Sequence, residues 1–188
     1  MLDPDSSALA ERAQGGDVDA IGVLYDQHHE ALFRYVWSRV GERQLAEDLT
    51  GDIFMRMVAA LPRYRPSAAP FRAWLYGIAR NRLIDHYRRQ RGREPLPLAQ
   101  AEEYGLHDGD EGDPSSLLEY KLTIEQVHRA LKTLEATQRE VVALRFLSGL
   151  SLQEVAAALE KSEGAVKALQ HRGLAALRRA LAQEQVLL

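Results

Sequence analysis

Apolar positions along this chain recur at steps of three and four, the spacing of one helical face. Ile21, Leu24, Tyr25, His28, Leu32, Val36 and Val40 form one such stripe, which ends at Gly41. A second stripe, Leu45, Leu49, Ile53, Met57 and Ala60, is stopped by Pro62. The stretch 63–70 holds two prolines and reads as a loop. Pro70 suits the first turn of a third helix carrying Phe71, Trp74, Leu75, Ile78 and Ala79 on one face. Further on, Leu117, Tyr120, Ile124, Val127, Leu131 and Leu134 make another unbroken stripe. Two capping boxes are predicted after it, Thr137 with Glu140 and Ser151 with Glu154, separated by a stop at Ser148-Gly149. Ser162 caps a last helix with Val166, Leu169, Gly173, Leu177 and Leu181 on its face. The short helix 152–159 and this last helix are about three residues apart, with Ala156 and Ala157 at the crossing, which fits a helix-turn-helix. No segment alternates with period two, so strands are not expected.

The expected fold class is all-α: two small helical domains joined by an acidic flexible linker, the second containing the helix-turn-helix. Residues 1–16 read as an N-terminal tail, 17–93 as the first domain, 94–116 as the linker and 117–188 as the second domain. Charge follows the same divisions. The overall net charge is -3, yet residues 17–93 carry +4, with arginine as the only base. Residues 94–119 hold eight acids and no Lys or Arg, and residues 120–188 carry +3. Two basic modules on an acidic tether suggest a polyanionic partner touched at two places; ordinary solvated helix surface explains such modest charges equally well.

Several chemistries drop out. The chain has no cysteine, which removes disulfides, thiolate metal sites and thiol catalysis. There is no phosphate-binding Walker loop, and His29-Glu30 lacks the second histidine of a zinc-protease pair. Asp108, Asp110 and Glu119 match three positions of a calcium loop, but Gly112 and Asp113 break it. No metal or other cofactor is therefore expected. Met1 to Gly16 shows no signal-peptide pattern, and no uncharged apolar run reaches the ~18 residues of a membrane span. A cytoplasmic, non-enzymatic protein is the expectation.

The densest signal is FRAWLYGIARNRLIDHYRRQRGR over residues 71–93. Arg72, Arg80, Arg82, Arg88, Arg89, Arg91 and Arg93 stand among Phe71, Trp74, Tyr76 and Tyr87. Arginines neutralise phosphates, and aromatic rings stack on unpaired bases, so this combination suits single-stranded nucleic acid. For Trp74 a core position is favoured, because Ile78 follows it at i+4. His28, on an apolar stripe, also reads as a core or interface residue. Asn81, between two arginines, is a candidate reader of a base edge.

These residues resemble the bacterial RNA polymerase sigma factors of the extracytoplasmic-function (ECF) type. The likeness runs from LYDQHHEALFRYVWSRV through LAEDLTGDIFMRMVAAL and FRAWLYGIARNRLIDHYRR, across the acidic linker, to QREVVALRFLSGLSLQEVAAALEKSEGAVKALQHRGLAALRRAL. The resemblance implies two helical domains, regions 2 and 4, and a function without covalent chemistry. Such a protein binds core RNA polymerase, recognises the -10 and -35 promoter elements and promotes DNA melting for initiation. It implies that the helix 45–61 docks on the polymerase, with Glu47, Asp48, Asp52, Ile53 and Arg56 in that surface. It implies -10 contacts from Arg72, Trp74, Tyr76, Arg80, Asn81, Arg82, Arg88 and Arg89. The helix from Glu163 then reads the -35 element through Glu163, Lys167, Gln170, His171 and Arg172. By the same resemblance the linker, with Glu102, Glu103, Asp108, Asp110, Glu111 and Asp113, would run through the polymerase cleft and occupy basic groups on the path of the RNA; a solubilising tether whose sequence hardly matters explains the same acids nearly as well.

The chain departs from the family at several positions. Gly51-Asp52 stands where the family usually has Gln-Glu, Glu160 stands at a usual glycine, Lys161 stands at a usually apolar position, and Leu169, Leu174 and Ala176 occupy places that often hold arginine. The alternative reading is a stand-alone helix-turn-helix regulator, which would need a dimerising element that the sequence does not display. A third is a sigma-like protein that sequesters a partner; the retained Arg, aromatic and Asn81 set argues against it. The expected partners are core RNA polymerase and promoter DNA, with room for an anti-sigma factor and no membrane insertion.

Overall fold

The computed structural model describes residues 4–91, 126–127 and 129–185. Among these residues there are only helices, turns and loops. The first module contains α1 (Pro4–Gln14), α2 (Val18–Val40), α3 (Arg43–Ala60), a 3-10 turn (Leu61–Arg63) and α4 (Phe71–Arg91). The second contains a short helical stretch at 129–132, then α5 (Ala136–Val142), α6 (Leu152–Ala158) and α7 (Glu163–Gln185). The acidic linker expected at 94–116, the stripe positions Leu117, Tyr120 and Ile124, and the linker acids named above lie outside the described residues.

Residues 1–16 are not a tail throughout, because α1 is a packed helix. Its buried face is mostly small, Leu9, Ala10 and Ala13, which gives too little apolar contrast to stand out in the sequence. Ser6, fully buried on the same helix, meets His28 Nε2 at 3.0 Å, so the histidine on the α2 stripe is indeed a core residue. Gln14 closes the end of α1 by donating to the carbonyls of Leu61 (2.7 Å) and Tyr64 (2.9 Å). Asp17 then caps α2 through the Ala20 amide at 3.2 Å, and Arg12 holds that carboxylate at 2.7 Å. Arg12 first, and the Ala20 amide second, lower the Asp17 pKa from its ordinary value. Gly41 ends α2 in the left-handed conformation at φ 82°.

The first core is built by the stripes that the sequence predicts. Leu24, Leu32, Val36, Leu49, Ile53, Met57, Phe71 and Leu75 are all at most 2% exposed. In the second module one predicted cap is displaced. Thr137 does not start α5; Glu135 does, accepting from the amides of Thr137 (3.1 Å) and Gln138 (3.2 Å). The Glu135 carboxylate also meets the positive end of the helix dipole, and Glu140 is drawn away to Tyr35 and Arg39 on α2. The second box forms as expected, with Ser151 accepting from the Glu154 amide at 3.1 Å and Glu154 from the Ser151 amide at 2.7 Å. Ser162 likewise accepts from the Ala165 amide at 3.2 Å to start α7. Ala156 is buried at the helix crossing, whereas Ala157 faces out.

Between α5 and α6 the chain makes a π-helical turn, Ala143–Leu147. The turn buries Ala143 and Leu144 while leaving Phe146 53% exposed. The two modules are packed against each other. Val141, Leu144, Leu150, Val155 and Val166 of the second belong to the same contiguous cluster as Leu24, Val36, Phe71 and Leu83 of the first.

Candidate nucleic-acid interface

Helical phase divides the side chains of α4 into three groups. Trp74, Asn81 and Arg88 recur every seven residues and share one face. Asn81, Arg88 and Arg89 are exposed. Trp74 is half-buried, 4.7 Å from the Tyr64 ring and 5.7 Å from Phe71, so it is anchored in the core with an accessible edge. Arg72, Tyr76 and Arg80, four residues apart, form a second face turned toward the other module. Arg72 donates to the Ser148 carbonyl at 2.6 Å. Tyr76 is 1% exposed, and burial raises its hydroxyl pKa to about 12. Arg80 lines a cleft of about 180 Å³ with Arg39, Tyr87, Glu140 and Lys161 among its walls. Arg82 points a third way and pairs with Asp52 on α3. Thus of the eight side chains expected on the -10 strand, Asn81, Arg88 and Arg89 stand free of the core, and Tyr76 is covered.

The α7 residues are simpler. Glu163, Lys167, His171 and Arg172 are exposed along its first half. Gln170 is half-buried and accepts from Arg145 Nε at 3.1 Å, which fixes α7 to the π-helical turn. The turn before α7 is made by Glu160 at φ 52°, the one described non-glycine residue with positive φ. This is the conformation in which glycine is ordinarily favoured.

On α3, Glu47, Asp48 and Arg56 are exposed, and Asp52 is half-buried. Burial raises the Asp52 pKa, but the Arg82 hydrogen bond and the Arg56 and Arg82 charges outweigh it and hold the carboxyl below its ordinary value. Ile53 is fully buried, which corrects its assignment to the docking surface: with Leu49 and Met57 it faces the core. Sequence reasoning missed Met55 (72% exposed) and Val58 (37%) on the outer face of α3. Their signal was present, since both are apolar yet out of phase with the inward stripe. It also missed a partly exposed aromatic row on α2. Tyr25 lies 4.7 Å from Phe54, Phe33 stacks on Trp37 at 6.4 Å, and Arg43 covers the Phe33 ring at 6.0 Å. Among the described residues no cluster of His, Asp or Glu is arranged to hold a metal ion.

Residues 24–93 match sigma-70 region 2, and residues 130–179 match sigma-70 region 4. The chain is 33% identical over 175 residues to the ECF RNA polymerase sigma factor SigD of Mycobacterium tuberculosis, covering 91% of this chain and 81% of that one. The chain belongs to the ECF sigma factors. This sigma factor is also 39% identical over 173 residues to the ECF sigma factor BldN of Streptomyces coelicolor. That likeness covers 92% of the chain but only 64% of BldN. Among solved structures, CnrH in complex with the cytosolic domain of CnrY matches at TM-score 0.74 and 28% identity, covering 96% of this sigma factor and 99% of CnrH. The region 2 match across α2 to α4 disfavours the stand-alone regulator, which calls for the helix-turn-helix alone. In this sigma factor, region 2 holds the Asn81 face and region 4 holds the exposed half of α7.

Proposed function

We propose that this sigma factor binds core RNA polymerase, reads two promoter elements and opens the duplex, with no covalent chemistry of its own. The observation that carries this reading is the pairing of two outward nucleic-acid faces on separate modules. One is Asn81 with Arg88 and Arg89 on α4, and the other is Lys167, His171 and Arg172 on α7. Asn81 offers one donor and one acceptor to an unpaired base at the -10 element, and the arginines hold its flanking phosphates. Trp74 gives the base a ring edge fixed by Tyr64 and Phe71. The first half of α7 enters the major groove at the -35 element, where Arg172 and Lys167 supply the cations. Glu47, Asp48 and Arg56, together with Met55 and Val58, form the surface for the polymerase. An apolar pair rimmed by charges is the composition expected of a docking patch.

An anti-sigma factor is a further partner in this reading, supported by the similar solved structure of the sigma factor RpoE from Bartonella quintana in complex with the anti-sigma factor NepR. No described helix is long and apolar enough to cross a membrane, and we place the protein in the cytoplasm, where the polymerase and promoter are. The test is to add the purified chain to core polymerase. Co-elution with core and initiation at discrete sites are the expected results. DNA binding without co-elution, and without any effect on initiation, would overturn the reading.

A further inference from the structure

The cleft beside Arg80 carries more positive charge than its own acids balance. Arg39, Arg80 and Lys161 line it, and Glu140 is the one carboxylate among the lining residues. That carboxylate is already engaged at both oxygens. One accepts from the Tyr35 hydroxyl, and the other pairs with Arg39 Nη2 at 3.0 Å. Arg80 and Lys161 have no ion-pair partner among the described residues. Arg39 Nε and Nη1 are buried and meet no acceptor among those residues. Arg139 Nε, next to Glu140 in the chain, is buried in the same condition. Burial first, and the Arg39 charge second, lower the Arg139 pKa, so this corner of the fold is crowded with cations.

Buried donors of a charged group cost free energy until an acceptor meets them, and cations held together repel. An anion entering the cleft relieves both. Two of the three lining cations lack a counter-charge, which matches a dianion. A phosphate monoester carries about -1.5 to -2 at neutral pH, and the guanidinium fork suits its oxygens in a bidentate way. A strand's backbone phosphate offers the same group with a single negative charge. The other walls are apolar, with Leu83 and Leu159 buried and the Tyr87 ring half-buried. Tyr87 is fixed in place by donating its hydroxyl to the Arg39 carbonyl at 2.6 Å. The cleft is about 180 Å³, below the roughly 300–1,000 Å³ of sites for drug-sized ligands, so its occupant is small.

We infer that this cleft is a binding site for a small phosphate monoester. Arg39, Arg80 and Lys161 hold the phosphate, and the organic body lies against Tyr87, Leu83 and Leu159. Lys161 is exposed at the mouth and draws the anion in, while Arg39 supplies the donors at the wall.

The test is a titration of the full chain, at fixed salt, with phenyl phosphate, inorganic phosphate, sulfate and hexathymidylate, read by nitrogen-15 NMR. Phenyl phosphate should shift the Arg39 Nε–H signal saturably and bind more tightly than inorganic phosphate, because its ring meets the apolar wall. Lys161→Ala and Arg80→Ala should each weaken phenyl phosphate binding between about three- and tenfold, the loss of one charge-assisted contact. Arg63→Ala, an exposed arginine outside the cleft, should leave it unchanged. Both cleft variants keep the Arg39 pair with Glu140; should Arg80→Ala lose the native amide spectrum, Lys161→Ala alone decides. No saturable shift in the wild type, or full affinity in Lys161→Ala, overturns the inference. Sulfate binding as tightly as phenyl phosphate means an adventitious ion only and overturns it too. If Lys161→Ala weakens hexathymidylate but not phenyl phosphate, the cleft serves a DNA strand and the small-ester site is overturned.

Discussion

Glu160 holds φ at 52° in the turn between α6 and α7, with no glycine to relieve it. The turn is closed by the Lys161 amide bonding to the Ala156 carbonyl at 2.9 Å, so the geometry is set by the two helices rather than by Glu160 itself. A residue with a Cβ in this conformation loses about 1 kcal/mol to steric crowding. Glu160→Gly should therefore raise the stability of the second module by roughly that amount, less a few tenths for the freer unfolded chain. Urea melts of the two proteins decide it, and a lower midpoint for the glycine variant would contradict the account. Gly173 shows the opposite dependence. A Cβ built there would lie 2.8 Å from Val142 Cγ2 and 3.4 Å from Gln138 Cβ. Val142 is 3% exposed and has little room to give. Gly173→Ala should cost ~1–3 kcal/mol by overpacking the α5–α7 crossing, read in the same melts. A neutral result would mean that the two helices are free to move apart.

At the scale of elements, α3 and α4 are tied by Asp52, which bonds Arg82 across the helices and Arg56 along its own at 3.3 Å. The folded carboxyl titrates below its ordinary value. The unfolded chain therefore takes up this proton at higher pH than the native one. The stabilisation is fully present above the ordinary carboxylate value and is lost as pH falls through the lowered one. Asp52→Asn removes this titration, so wild type should lose more stability than the variant as pH falls from neutral to about 3. Equal losses would show that the tie carries no net energy. The helices themselves were legible: α2, α3 and α4 have long inward stripes, and their ends are written in Gly41, Pro62 and Pro70. The helix α1 was not, because alanines and a serine make its buried face. The α5 start was misplaced for a related reason. A capping box is read from residue types three apart, and Thr137 with Glu140 fits the pattern. Only tertiary structure shows that Glu140 serves Tyr35 and Arg39 instead. The division of the α4 arginines also depends on packing. Their types suggest a nucleic-acid face, but the partners Ser148 and Asp52 are supplied by other elements.

For the whole molecule, the fold places one base-reading candidate on each of two modules. Asn81 is exposed in region 2 and Arg172 is exposed in region 4, so substituting either leaves the core intact. The central claim is that these modules select start sites for RNA polymerase through two separate elements. The most direct measurement is transcription of fragmented genomic DNA by core polymerase plus the purified chain, with the RNA 5′ ends mapped by sequencing. The account predicts clustered 5′ ends preceded by two shared sequence elements. Asn81→Ala should relax preference at one position of the -10 element by ~1–3 kcal/mol of discrimination. Arg172→Ala should weaken dependence on the -35 element alone, with part of the loss varying with salt. A pattern of 5′ ends identical to that of core polymerase without the chain would contradict the account.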